Sequence, residues 1–258
     1  MDLSGAVRFS LTKISFELFS LGSIFSIYSL ATTFCLAVGA LAYRQKRRRG
    51  RANLRAVARA IFAKKLMMYA SFHADMKLFL LSVVVMPVIV GSLVVSTHTV
   101  STAVRSMLES AFGSIDPFHF SDMSIKILST LVLFLAYEIG YWIDHYLKHR
   151  ISFLWEFHKL HHTAEVLTPL TNFRNHPIDN IVFGYMLSMF IGGASGVLAW
   201  LFSRNTETFS VDGKNILFIV FLWTIGHLQH SQFWIPFRGV WGHIILSPAH
   251  HQIHHSND

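Results

Sequence analysis

Five runs along the chain are too apolar, for too long, to lie in a soluble core. They are Leu21 to Tyr43, Leu78 to Thr97, Ile125 to Trp142, Ile178 to Phe202 and a shorter one from Ile216 to about His230. The longer runs reach the roughly 20 residues a helix needs to cross a bilayer core of about 30 Å. Pro87 predicts a kink in the second run, which membrane helices tolerate. The GGASG stretch in the fourth suits close helix packing, and the fifth reads as short or partly re-entrant. Between the runs, residues 98–123 read as a polar loop and residues 150–177 are too polar to cross. Residues 53–77 carry Leu54, Val57, Ala58, Ile61 and Phe62 at helical spacing, with Arg55, Arg59, Lys64 and Lys65 on other faces. That pattern predicts a helix lying in the membrane interface. The expectation is an all-α integral membrane protein of four to five transmembrane helices. Residues 1–124 form an N-terminal membrane region with two spans and a basic interfacial segment, and residues 125–258 carry the chemistry.

Composition supports this pattern. Of the 258 residues, 52% are hydrophobic and 14% charged, with a mean hydropathy of +0.44, which is outside the soluble globular range. The net charge of +8 does not indicate nucleic acid. Its basic residues gather beside an apolar run, where they act as topology signals and face anionic lipid. Arg44 to Arg51 holds six basic residues and no acid, so this end of the first run is assigned to the cytoplasm and the N-terminus to the other side. A cleaved signal peptide would have a shorter apolar region ending in small residues. A single cysteine, Cys35, rules out an intrachain disulfide and a cysteine-rich zinc site.

Thirteen of the 16 histidines lie from His145 onward. His145 and His149 are four apart. His158, His161 and His162 fall at i, i+3 and i+4, and His251, His254 and His255 repeat that spacing. On a helix both spacings stack imidazoles on one face, and imidazole is the commonest protein metal ligand. The charge-derived topology brings every cluster to the cytoplasmic side. A zincin would need Glu after the first His of its motif, where this chain has Tyr146. A one-zinc hydrolase needs three protein ligands, and eight or more His exceed that and imply two metals. As chemistry rather than spacing, an all-imidazole site at a membrane surface fits oxygen activation by non-haem iron against a lipid C–H bond.

HYLKH, HKLHH and SPAHHQIHH resemble the three histidine boxes of the fatty acid hydroxylase/sterol desaturase superfamily. Phe173–Pro177 (FRNHP) is similar to that family's RxHP segment, and Gly226–Ser231 (GHLQHS) to its extra His-bearing segment. The resemblance covers about residues 125–255. It implies a cytoplasmic dimetal site, usually two iron ions (zinc can occupy it in a purified form), and hydroxylation or desaturation of a sterol, fatty acyl or sphingolipid substrate with O2. The implied ligands are His145, His149, His158, His161, His162, His227 or His230, His251, His254 and His255. Family members usually continue past the last box with further His and Asp, whereas this sequence stops at Asp258, so it is either naturally short or cut.

Glu138 shares a helical face with His145 and His149 and is a candidate to orient a ligand imidazole, with a hydrogen bond to a neighbouring helix as the alternative. Arg174 and His176 are candidates to close over the site or hold a lipid headgroup, against a topogenic or capping role. Asp144 reads as a solvated interface residue, His243 and His250 as peripheral, and His73, His98 and His119 have no assigned role. With no haem-attachment, flavin or Rossmann motif, electrons would come from a separate cytochrome b5-like or ferredoxin-like donor. The membrane is the endoplasmic reticulum in a eukaryote or the inner membrane in a bacterium. Two rivals stand beside the enzyme: a membrane metal transporter or binding protein, and a family member that has lost catalysis and acts as a scaffold.

Overall fold

A computed structural model of the chain describes residue 12, residues 15–16, 18–23, 26–61, 68–116, 118 and 120–256. Lys64, Lys65, His119 and Asp258 lie outside the described residues. The helices run in order α1 (Ile27–Arg49), α2 (Leu54–Ile61), α3 (Ala70–Val84), α4 (Met86–Leu93), α5 (Thr97–Phe112), α6 (Asp122–Arg150), α7 (Ser152–His162), α8 (Pro177–Leu201), α9 (Ile216–Phe221), α10 (His227–Gln229), α11 (Val240–Ile244) and α12 (Pro248–His254). A 3₁₀ turn covers Pro169–Phe173, a π turn covers Leu222–Gly226, and a hairpin pairs β1 (Ser210–Val211) with β2 (Lys214–Asn215).

Among the described residues, four segments are long and apolar enough to cross a membrane: Ile27–Arg49, Met86–Phe112, Asp122–Arg150 and Pro177–Leu201. The fifth apolar run falls short, at Ile216–Gln229. The second run is not one helix. α3 stops at Val84, and α4 starts with Pro87 in its first turn, where a missing N–H and fixed φ cost nothing. The polar loop expected after it is instead α5. Ser96 caps that helix by accepting from Thr99 N, and Gly113 (φ 76°) ends it. Its Thr, Ser, Arg105 and Glu109 content hid it, because Val100 is its one buried residue.

The chain divides into two compact units, one of residues 1–84, 160–175 and 219–258, the other of residues 85–159 and 176–218. In the second, α8 packs on α5 and α6. A Cβ on Gly192 would lie 2.7 Å from Val100 Cβ, and one on Gly196 would lie 2.6 Å from Ser101 O. Only glycine lets these backbones approach so closely. α6 shows how the unit meets its solvent. Ser129, Ala136, Gly140, Asp144 and Lys148 are buried along one stripe, while Leu131, Leu135, Ile139 and Trp142 are 47 to 64% exposed on the other. Small and polar residues inside with large apolar ones outside is the arrangement of a helix facing lipid tails.

In the first unit, α1 begins at Ser26, whose hydroxyl accepts from Ser29 N, and ends at Gly50 in the left-handed region (φ 72°). Lys46, Arg47, Arg48 and Arg49 fill its last turn and complement the negative end of the helix dipole. Thr33 donates to Trp223 O at 3.1 Å, which ties α1 to the π turn. α3 is tied to the 3₁₀ turn by a buried knot. Arg174 Nε lies 3.2 Å from Asp75 Oδ1, Arg174 donates to Ser71 Oγ at 2.9 Å, and Thr171 donates to Asp75 Oδ2 at 3.1 Å. Burial pushes the Asp75 carboxyl up, with Arg174 and the Thr171 hydroxyl pulling it back.

Candidate metal centre

α7, α10 and α12 supply a quartet of imidazoles within the first unit. His161, His230, His251 and His255 are all buried, and their ligand atoms all lie within 4.8 Å of one another. Local structure aims them. α12 starts on the Ser247 cap with Pro248 behind it, which sets His251 and His255 one turn apart on one face. The π turn Leu222–Gly226 adds a residue to its turn just before α10, and His230 follows as the residue that closes α10. Such π turns occur frequently at functional sites. Gln252 Nε2 donates to Ser231 O at 2.7 Å and to Phe233 O at 2.9 Å, so α12 is stitched to the segment that follows His230.

The nitrogen separations carry chemical information. His161 Nε2 lies 3.0 Å from His230 Nε2, which lies 2.9 Å from His251 Nε2, which lies 3.1 Å from His255 Nε2. An imidazole Nε2 has one in-plane function, either a proton or a lone pair. His230 and His251 each face two other nitrogens, so a chain of ordinary hydrogen bonds cannot serve all three contacts well. Four lone pairs converging on one cation can. With metal–nitrogen bonds of about 2.1 Å, two ligands at 90° lie about 3.0 Å apart, and two at the tetrahedral angle about 3.4 Å. The separations are of the size that neighbouring ligands of one ion show. The residues fit a metal ion.

The remaining box histidines are also grouped. Within the first unit, the His162 and His254 rings are 4.8 Å apart, and His162 stacks on His255 at 4.3 Å. Within the second unit, His145 and His149 lie 4.8 Å apart, with His158 at 4.9 and 5.1 Å from them.

Beside these three lies an ion cluster that sequence reasoning missed. Asp144, read as solvated, is only 4% exposed. The buried Lys148 ammonium sits 2.6 Å from Asp144 Oδ2 and 2.8 Å from Asp179 Oδ1, and donates to Asp179 O at 3.2 Å. Its three protons thus have three oxygen neighbours. Asp179 stands in the first turn of α8, where the helix dipole favours a carboxylate. Its Oδ1 also faces His158 Nδ1 at 3.5 Å, an electrostatic contact longer than an ordinary hydrogen bond. A carboxylate on one ring nitrogen sets the tautomer and orientation that the other nitrogen presents. The available signal was the i, i+4 spacing of Asp144 and Lys148 on an otherwise apolar helix.

The other candidates fall in different places. His227 is fully buried, but its Nε2 contacts Ser29 Oγ at 3.0 Å, so His230 rather than His227 joins the quartet. His176 caps α8, accepting from Ile178 N at 3.2 Å. Arg174 is held in the Asp75 knot. Glu138 is half-buried on α6, with Oε1 making no hydrogen bond among the described residues.

Compared with known families, residues 130–258 match the model of the fatty acid hydroxylase family. No curated protein and no solved structure matches the chain.

Proposed function

Given that the chain belongs to the fatty acid hydroxylase family, we propose that it is a membrane-bound di-iron oxidoreductase that hydroxylates or desaturates a lipid, using O2 and a separate electron donor. The observation that supports this most directly is the buried quartet, with neighbouring nitrogens 2.9 to 3.1 Å apart. His161, His230, His251 and His255 would hold one ion. The reading assigns the second ion to the box histidines grouped in the second unit, His145, His149 and His158. When bound, the iron pair would activate O2, the oxidant, for attack on a lipid C–H bond.

The chain's own residues have defined tasks in this reading. The neutral imidazoles bring no charge of their own, so they would leave the full positive charge of a bound ion in place. Asp179, facing His158 Nδ1, favours the tautomer that carries its proton there, and Lys148 keeps that carboxylate from standing unpaired beside the ligands. The exposed apolar stripe of α6 places the substrate's own phase, the lipid tail region, alongside the helix that carries His145 and His149. In this reading the site faces the cytoplasm, as the Arg44–Arg51 charges direct, and Arg174 and His176 serve as structural supports.

The test is lipid mass spectrometry of cells with and without the protein, beside elemental analysis of the purified chain. One lipid class gaining an oxygen or losing two hydrogens, with two equivalents of iron per chain, is the expected result. A reproducible single equivalent of zinc, with no iron after anaerobic reconstitution, would overturn it.

A further inference from the structure

The first unit carries a second feature, which the histidine chemistry does not use. A cleft of about 670 Å³ opens between the last turns of α1 and the segment leading away from His230. Four arginines line it: Arg44, Arg47 and Arg48 from α1, and Arg238 from a stretch about 190 residues later in sequence. Among the described residues none of the four forms an ion pair. No carboxylate occurs in residues 18–74 or 213–257, the two stretches that build the cleft. A smaller cleft of about 260 Å³ shares Arg44 and Arg48 and adds Arg49.

The arrangement is more than a run of topology charges. Arg44 donates to Trp234 O at 2.8 Å, which fixes the two walls relative to each other, and Ala249 N donates to Ile235 O at 3.3 Å. The cleft is also amphipathic. Ile235 and Pro236 line it beside the guanidinium groups, and Tyr43 and Trp234 at its rim are 66% and 46% exposed. Aromatic residues at the end of a membrane span mark the headgroup level of a bilayer. The phosphates of the lipid lie at that depth, and a guanidinium binds a phosphate through two parallel hydrogen bonds.

We propose that this cleft binds the phosphate headgroup of an anionic bilayer phospholipid, clamped between Arg47 and Arg48 on one wall and Arg238 on the other. The bound headgroup neutralises the crowded guanidiniums and cross-links α1 to the segment between His230 and α12. It thereby steadies the stretch from which two of the quartet helices depart. The proposal needs no metal and stands apart from the catalytic reading.

The test uses the full chain purified in neutral detergent, followed by thermal unfolding and native mass spectrometry. Dioctanoyl phosphatidic acid is compared with dioctanoyl phosphatidylcholine and with inorganic phosphate. Phosphatidic acid should raise the melting temperature in a saturable way and remain bound in the mass spectrum, while the other two should do neither at equal concentration. The triple variant Arg47→Lys, Arg48→Lys, Arg238→Lys keeps every charge, and so keeps the topology signal, but loses the two-pronged grip. It should weaken phosphatidic acid by about tenfold or more. Arg55→Gln with Arg59→Gln, on exposed positions of α2 outside both clefts, should not. Equal stabilisation by phosphatidylcholine or by inorganic phosphate would overturn the proposal. So would equal weakening by the α2 pair, which would reduce the effect to diffuse surface charge.

Discussion

Replacing Lys148 with methionine removes an ammonium of similar length from a closed cluster and leaves two carboxylates behind it. The three side chains are 4 to 5% exposed, and this burial decides the magnitude. An exposed pair at such spacing contributes about 0.2–1 kcal/mol, whereas breaking a buried one costs about 3–5 kcal/mol, because the stranded charge cannot recover its water. At about 2–4 °C per kcal/mol for a chain of this size, Lys148→Met should lower the melting temperature in detergent by about 6–20 °C. The triple variant Asp144→Asn, Lys148→Met, Asp179→Asn removes the cluster as a whole and should recover at least half of that loss. The Glu156–Lys159 pair on α7 is an internal control. It is also an ion pair within one helix, but 50 to 60% exposed, so Lys159→Ala should cost under about 1 kcal/mol. Differential scanning fluorimetry of the four proteins is the assay. If Lys148→Met melts within about 2 °C of the parent, the buried-cluster reasoning is wrong.

Three further outcomes are expected. Metal analysis should show His251→Ala and His230→Ala each losing iron at the quartet, whereas His227→Ala, which touches Ser29 instead, should keep it; equal loss in all three would refute the assignment of His230 over His227. Gly196→Leu should destabilise the second unit by about 1–3 kcal/mol or more, because its Cβ would meet the backbone oxygen of Ser101, and an unchanged melting curve would contradict the observed approach of α8 to α5. Glu138→Gln should reduce metal affinity or turnover by about 10–100-fold with the fold intact if the carboxylate orients a ligand imidazole, and a silent variant would limit Glu138 to a packing role.

Much of this protein was written in local pattern. Length and hydropathy of an apolar run are sufficient to mark a membrane helix, because a bilayer accepts only backbone whose polar groups are satisfied internally. The runs at α1, α6 and α8 were therefore legible, as were the box histidines, whose i, i+3 and i+4 spacing needs only a helix to bring them to one face. What hid α5 was its polarity: its partners are the glycines of α8, and the value of a small, partly polar face depends on what stands opposite it. The same holds for Asp144 and Lys148. As a single residue Asp144 reads as solvated, and only Asp179, arriving from another helix, makes a closed cluster of it and Lys148. His227 and His230 stand three positions apart, and the sequence had no way to choose between them; the π turn and Ser29 on α1 made that choice. Arg238 gave no local signal at all. Its place beside Arg44, Arg47 and Arg48 depends on where the chain returns after about 190 residues, which is a property of the packed fold. Spacing within one element fixes which side chains share a face, while the identity of the facing group, and so the chemistry the face performs, is decided by tertiary structure.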